Sequence, residues 1–459
     1  MTRKIRLAVW LTALALFAGC IRHADKSLNA SSNPDVNDTR FKYVISKVPR
    51  ETSPNVSQSD RDELRDSNTD FTFSLYHELK NSPGNIIFSP HSITTAMALL
   101  YAGARGDSEK EIATAFHYTL PQDRLHAAFN ALDLDLKSRG KPDPKTQGRR
   151  VMPGQEPWFT LNVANALWGP PEDAWERSYL DLIAKYYGTG LRTLDIGADP
   201  EAARQIINEW VSENTNDKIP ELIHEDELIT DSTVLVITNA VYFKARWELP
   251  FEESNTKPGD FHLLDGTVVF AQMMEFTDSS YSFRWAEGEG WTAIELPYDL
   301  DGMDPFRGQK DNISMHVIVP DSGRFDEFET SLDGQKLESI ISSYNEGPVH
   351  LFFPKFEYRF HKPLREPLSN LGMPSVFGHI DLSGMLPGSG LFVRDVIHEA
   401  YIQVDEKGTE AAAATAIGVD MKGDEPLDLT VDRPFIYVIR DEGTGAILFI
   451  GRVLNPLEA

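Results

Sequence analysis

Near the end of the chain, two runs that read as β-strand are separated by about thirty residues, 406–434, that fit neither a strand nor a core helix. The run before it spans 391–404, and the runs after it, 435–439 and 446–451, read as a buried hairpin. A connection of that length is uncommon in a compact domain and is usually functional. Its first part is small and nearly uncharged: Gly408, Thr409, Glu410, Ala411, Ala412, Ala413, Ala414 and Thr415. Its second part, Gly423-Asp424-Glu425-Pro426, is polar and turn-prone. If the first part entered a sheet, its side chains would alternate between faces. Thr409, Ala411, Ala413, Thr415 and Ile417 would point inward; Glu410, Ala412, Ala414 and Ala416 would point outward. The early inward residues are all small, so a sheet could part around them without a large cavity. Gly408 allows a pivot. The competing pattern is a short alanine helix on a loop, because alanine is the best helix former.

At the other end, Arg3, Lys4 and Arg6 precede an apolar run, 7–17, and Phe17-Ala18-Gly19-Cys20 resembles the lipobox of bacterial lipoproteins. The run is too short to span a bilayer and fits a signal segment. Cys20 is the only cysteine, so no disulfide can form within the chain. The expectation is a signal peptide over 1–19, a lipid on Cys20, and a domain exported to the periplasm, outer membrane or cell surface. An ordinary cleaved signal with an incidental cysteine is the alternative. Residues 20–68 are rich in Ser, Asn, Asp and Pro, which predicts a flexible linker with a span of roughly 40 Å. Asn29, Asn37, Asn55 and Asn312 carry the glycosylation pattern, which the lipobox discounts.

From 69 to 459 the composition is globular, with no internal repeat and no second linker, and reads as one large domain. The net charge is −26, and more negative still once the basic leader is removed. Such a surface argues against nucleic acid and against electrostatic binding to anionic lipid. A basic cluster, Lys137, Arg139, Lys141, Lys145, Arg149 and Arg150, reads as an inserted solvated loop. Apolar spacing predicts helices over 70–80, 94–103, 120–136 and 179–187, and one over 109–116 capped by 105–108. Strands are predicted over 159–168, 191–196 and 234–244. The last is continuously apolar, the mark of a strand covered on both faces. Asn239 within it requires hydrogen-bond partners. The mixture predicts an α+β fold.

Enzyme signatures are missing from the sequence: no cysteine pair, no His-Glu-x-x-His, no phosphate-cradling glycine loop and no Gly-x-Ser-x-Gly elbow. Ser89, His91 and His398 supply hydrolase residue types, but a triad is defined by geometry. Ser89 and Ser92 sit at an apolar helix start and His398 in a strand pattern, which favours a buried polar cluster.

Several separated motifs resemble those of the serpin family. They are the hinge 408–415, Arg433-Pro434-Phe435, and Ile450-Gly451-Arg452-Val453-Leu454-Asn455-Pro456. With them go Asn239-Ala240 followed by Tyr242-Phe243-Lys244, Trp247 and Phe251, and also Phe352-Phe353-Pro354-Lys355-Phe356. The resemblance covers about 70–456. It implies three β-sheets with a large central one, eight or nine helices, and an exposed reactive loop over about 406–434. It further implies that Ser89, Ser92, Asn239 and His398 latch the main sheet where it must part. Glu406 and Lys355, with Trp247 nearby, are implied to close the top of that sheet. The implied activity is suicide inhibition: a serine protease forms a covalent complex with the cut loop, which inserts into the sheet. Counting from Glu406 places the scissile bond at Lys422–Gly423, for a trypsin-like target. A register shift of one gives Met421, for a chymotrypsin- or elastase-like one; a cysteine protease is a further possibility. The rival is a non-inhibitory carrier, whose hinge would hold bulky, charged or proline residues at inward positions. A monomer that is not an enzyme, with no cofactor and no metal, is expected.

Overall fold

The long apolar run forms the strand on which the molecule is built, β5 (Leu235–Trp247). Its alternate side chains enter two different cores. Ile237, Val241 and Phe243 join one, while Val236, Ala240 and Tyr242 join the other on the opposite face. That double burial is why the run shows no polar alternation. The computed structural model describes residues 34–139, 159–171, 175–225, 227, 235–300, 313–388, 393–409 and 425–458.

The main half of the larger sheet runs in the order β1 (Lys42–Val44), β4 (Leu191–Thr193), β3 (Phe159–Gly169), β5, β14 (Val393–Asp405) and β13 (Phe356–Pro363). At its upper end a two-residue strand, β15 (Gly408–Thr409), lies between β5 and β14. The second half holds β8 (Phe283–Gly288), β9 (Trp291–Asp299), β10 (Ile313–Pro320), β11 (Asn345–Gly347), β17 (Phe435–Asp441), β18 (Ile447–Val453) and β2 (Ile86–Phe88). A separate sheet has the order β16 (Leu427–Thr430), β12 (Val349–Pro354), β7 (Val268–Phe276) and β6 (Lys257–His262). Of the three expected sheets, two are therefore joined. The link is the pairing of Arg246 and Trp247 with Asp299 and Tyr298.

Helices α1 (Gln58–Leu79), α2 (Pro90–Gly103), α3 (Gly106–Ala115), α4 (Gln122–Ser138) and α5 (Arg177–Tyr187) precede α6 (Pro200–Asn214). Helices α7 (Phe325–Ser331), α8 (Gly334–Ser342) and α9 (Arg365–Asn370) follow. Helix α2 packs into the core on one face of β5, and α6 into the core on the other. Among the described residues no helix is long and apolar enough to cross a membrane. Helix α3 starts three residues before the expected position, and Arg105 caps it without a side-chain hydrogen bond.

Two expectations need correction. The segment 34–68 is not a free linker. Residues 34–37 form a 3-10 turn, β1 adds a strand to the sheet edge, and α1 begins at Gln58. Composition hid this because the anchors are few: Phe41 against Trp168, and Asp35 paired with buried Arg192. Residues 1–33, Cys20 included, lie outside the described residues. The loop 406–434 is also shorter than expected, since β15 and β16 occupy its two ends. Within the basic cluster, Lys137 pairs with Asp133 and Arg139 with buried Asp441; the remainder lies outside the described residues.

Candidate functional site

The strand β14 ends in a tight turn, and backbone hydrogen bonds fix that turn residue by residue. The Trp247 indole N–H donates to the Asp405 carbonyl at 3.0 Å. The Phe251 N–H donates to the Glu406 carbonyl at 2.8 Å, and the Trp247 N–H to the Lys407 carbonyl at 2.9 Å. Three successive carbonyls are thus held by the end of β5 and the segment after it. Glu406 turns inward, where its carboxylate accepts from Lys355 Nζ and from the Thr256 hydroxyl, each at 2.7 Å. Burial pushes this carboxyl up, but the ammonium and the hydroxyl outweigh it and leave it below its ordinary value. The pair is largely sheltered on the Glu406 side, so it exceeds a surface ion pair in worth.

Beyond the turn, Gly408 and Thr409 sit between the two strands. Gly408 faces Arg246 and Asp405; Thr409 faces Ala245 and Val404. Gly408 has φ +148°, and a Cβ there would lie 2.2 Å from the Ala245 carbonyl oxygen, so no side chain fits. Thr409 is buried and shares a 2.9 Å hydrogen bond with the Tyr298 hydroxyl. Tyr298 stacks on Trp247, with ring centres 4.6 Å apart and planes 11° from parallel. Below this point β5 and β14 are paired in parallel, from Leu235 with Val393 to Tyr242 with Tyr401. The sheet is closed there, and β15 is the start of an additional strand.

Under the seam lies a buried polar chain. Ser89 caps α2 by accepting from the Ser92 N–H at 3.2 Å, with Pro90 in the first helical position. The Ser89 N–H donates to His398 Nε2 at 3.3 Å, so that nitrogen carries no proton. The proton is then on Nδ1, which donates to Asn239 Oδ1. Asn239 Nδ2 donates to the Ser92 hydroxyl at 2.8 Å and to Asn165 Oδ1 at 2.7 Å. Ser92 Oγ donates to Asn165 Oδ1, and Asn165 Nδ2 donates to the Ser92 carbonyl, both at 2.9 Å. Burial lowers the His398 pKa to about 3, with neighbouring His361 adding to it, so the imidazole is neutral. The chain crosses from α2 through β3 and β5 to β14, and nothing in it is aimed as a nucleophile.

The structure thus brings Ser89, Ser92, Asn239 and His398 together, and likewise Trp247, Lys355 and Glu406. Among the hinge residues, Gly408 and Thr409 are placed; Glu410, Ala411, Ala412, Ala413, Ala414 and Thr415 lie outside the described residues. So do Met421, Lys422 and Gly423. Asn165, Thr256 and Tyr298 belong to the site and were not foreseen. Asn165 carried a usable signal, being an inward polar residue in a predicted strand. Thr256 lies in a short connection and carried none.

A family model described as serpin (serine protease inhibitor) matches residues 66–456. An uncharacterized serpin-like protein of Thermococcus kodakarensis is 33% identical over 98% of this chain and 99% of its own length. The leukocyte elastase inhibitor of Xenopus laevis is 32% identical over 84% of this chain and 98% of its own. The crystal structure of human thyroxine-binding globulin superposes with a TM-score of 0.73 at 26% identity, covering 86% of this chain and 99% of that one. A sheet closed below a clamped turn, a strand begun at its top, and a family match spanning nearly all of the described molecule lead to one conclusion: the chain belongs to the serpins, a family of protease inhibitors.

Proposed function

We propose that the chain is an irreversible, suicide-type inhibitor of serine endopeptidases with trypsin-like specificity. The observation that carries this reading is β15: Gly408 and Thr409 already fill the first rungs between β5 and β14. The residues next in the inward register, Ala411, Ala413 and Thr415, are small enough to follow. A protease serine attacks the Lys422 carbonyl, the Gly423 amine leaves, and the protease stays esterified to Lys422. The freed hinge then extends β15 down the seam and carries the protease along, deforming its active site before water completes hydrolysis. About a dozen new ladder hydrogen bonds, at about 0.5–1.5 kcal/mol each, supply on the order of 10 kcal/mol. The polar chain of Ser89, Ser92, Asn239 and His398 latches the seam until then. The clamped turn of Trp247, Lys355 and Glu406 holds the hinge at its entrance. The likeness to a leukocyte elastase inhibitor supports an inhibitory role.

Mixing the protein with trypsin should give a covalent complex that survives boiling in SDS. Thr409→Arg, which puts a long cation where Tyr298 sits, should convert inhibitor to substrate. Clean cleavage of both forms without complex, across a panel of serine proteases, would instead support a carrier. The likeness to thyroxine-binding globulin favours that second reading. We further propose that Cys20 is lipidated and holds the exported domain at a membrane, a reading that rests on the lipobox resemblance. Palmitate labelling that persists in Cys20→Ser would exclude it.

A further inference from the structure

The segment after α6, residues 215–225 with Glu227, lies over the seam between β5 and β14. Leu222 and Ile223 are buried in the same apolar cluster as Tyr242 of β5 and Tyr401 of β14. This strap is tied back to α6 at Ile223. Its N–H donates to Asn208 Oδ1 and its carbonyl accepts from Asn208 Nδ2, both at 2.9 Å. Its far end meets β13. There His361 Nε2 lies 2.5 Å from Glu227 Oε1, and the His224 ring stacks on the His361 ring with centres 4.2 Å apart. One donor atom each from His224, Glu227 and His361 lies within 4.8 Å of the other two, and all three residues are partly buried. The other ring nitrogen of His361 lies 3.3 Å from the carboxylate of buried Glu399, on β14.

We propose that His224, Glu227 and His361 bind a divalent transition-metal ion, with zinc the best match, and that this ion fastens the strap across the seam. Two imidazoles and one carboxylate are a zinc donor set that leaves a fourth position for water. Imidazole donors select against magnesium and calcium. Glu399 accepts from His361 Nδ1–H, which turns Nε2 toward the ion, the usual carboxylate support of a ligating histidine. Donors about 2.0–2.1 Å from a tetrahedral zinc stand roughly 3.3 Å apart. Glu227 Oε1 therefore moves back by under an ångström to admit the ion. With α6 holding one end and the metal the other, β5 and β14 could not separate without lifting the strap. A slower trapping step follows only on the inhibitor reading; the binding and the fastening do not depend on it.

Calorimetric titration of zinc chloride into the full chain should give one ion per chain. His224→Ala and His361→Ala should each abolish that site, and Glu399→Gln should weaken it about tenfold with unchanged stoichiometry. Cobalt should give tetrahedral ligand-field absorption in the wild type and none in His224→Ala or His361→Ala. Zinc should slow amide hydrogen exchange in 237–242 and 396–401 of the wild type and leave His361→Ala unchanged. Cys20 is common to all these variants, so equal zinc uptake by wild type and His361→Ala overturns the site. Unaltered exchange with zinc bound overturns the fastening. If calorimetry succeeds while no protease is trapped, the inhibitor reading falls and the metal site stands.

Discussion

His398 and His126 sit in the interior as neutral imidazoles, each with its pKa lowered by burial from 6.5 to about 3. The unfolded chain takes up these two protons near pH 6.5 and the native chain refuses them. Their contribution to stability is complete above pH 6.5 and is lost as pH falls toward 3. Each histidine supplies up to about 1.4 kcal/mol per pH unit within that window. Urea midpoints taken from pH 7 down to pH 4 should fall, and His126→Gln should remove one proton from the slope. An unchanged slope would mean that His126 is protonated in the native state. The sequence marked Asn239 as a polar residue in need of partners, and it has them. It did not give Glu227 or His361 as neighbours, because they are 134 residues apart and meet only after the strap folds over the sheet. For the same reason, the expectation of no metal rested on contiguous motifs alone.

Among the elements, β1 is the one that composition misread. Only three of its residues pair, and the polar segment around it looks unable to order itself. What orders it is a buried ion pair. Asp35 meets Arg192 and accepts from the Trp210 indole N–H at 2.8 Å, while the Arg192 guanidinium lies 4.2 Å from the Trp210 ring centre. A single acid in a Ser- and Asn-rich stretch gives no sign that its partner is buried. Asp35→Asn leaves Arg192 charged in that pocket without its counter-ion. The expected cost is about 3–5 kcal/mol, read as a lower urea midpoint. Protease nicking near residue 40 should accompany it. A loss under about 1 kcal/mol would mean that water reaches Arg192 and that β1 contributes little. By contrast, β5, β14 and the terminal hairpin were legible to within three residues, and α2 to within four. Their apolar periods are long, and both faces of β5 are covered.

For the whole molecule, the inhibitor reading requires that the intact fold not be the most stable one available. Extending β15 would add on the order of 10 kcal/mol, about the size of an ordinary folding free energy. Cleavage within 410–424 should raise the melting temperature by on the order of 10 °C. Calorimetry of nicked against intact protein checks this, and identical melting would remove the stored energy on which trapping depends. The pairing of β17 with β10, and of β18 with β2 near the start of the domain, has a consequence for biosynthesis. The hinge is synthesised before the hairpin that anchors its far side. At about 5–20 residues per second, the stretch from Thr409 to Phe435 takes roughly one to five seconds to make. On the inhibitor reading, the nascent hinge has a loose tail until that hairpin has paired, and it would need no cut to slide home. Translation speed through this one stretch would then decide what share of newly made molecules is born armed and what share is born spent.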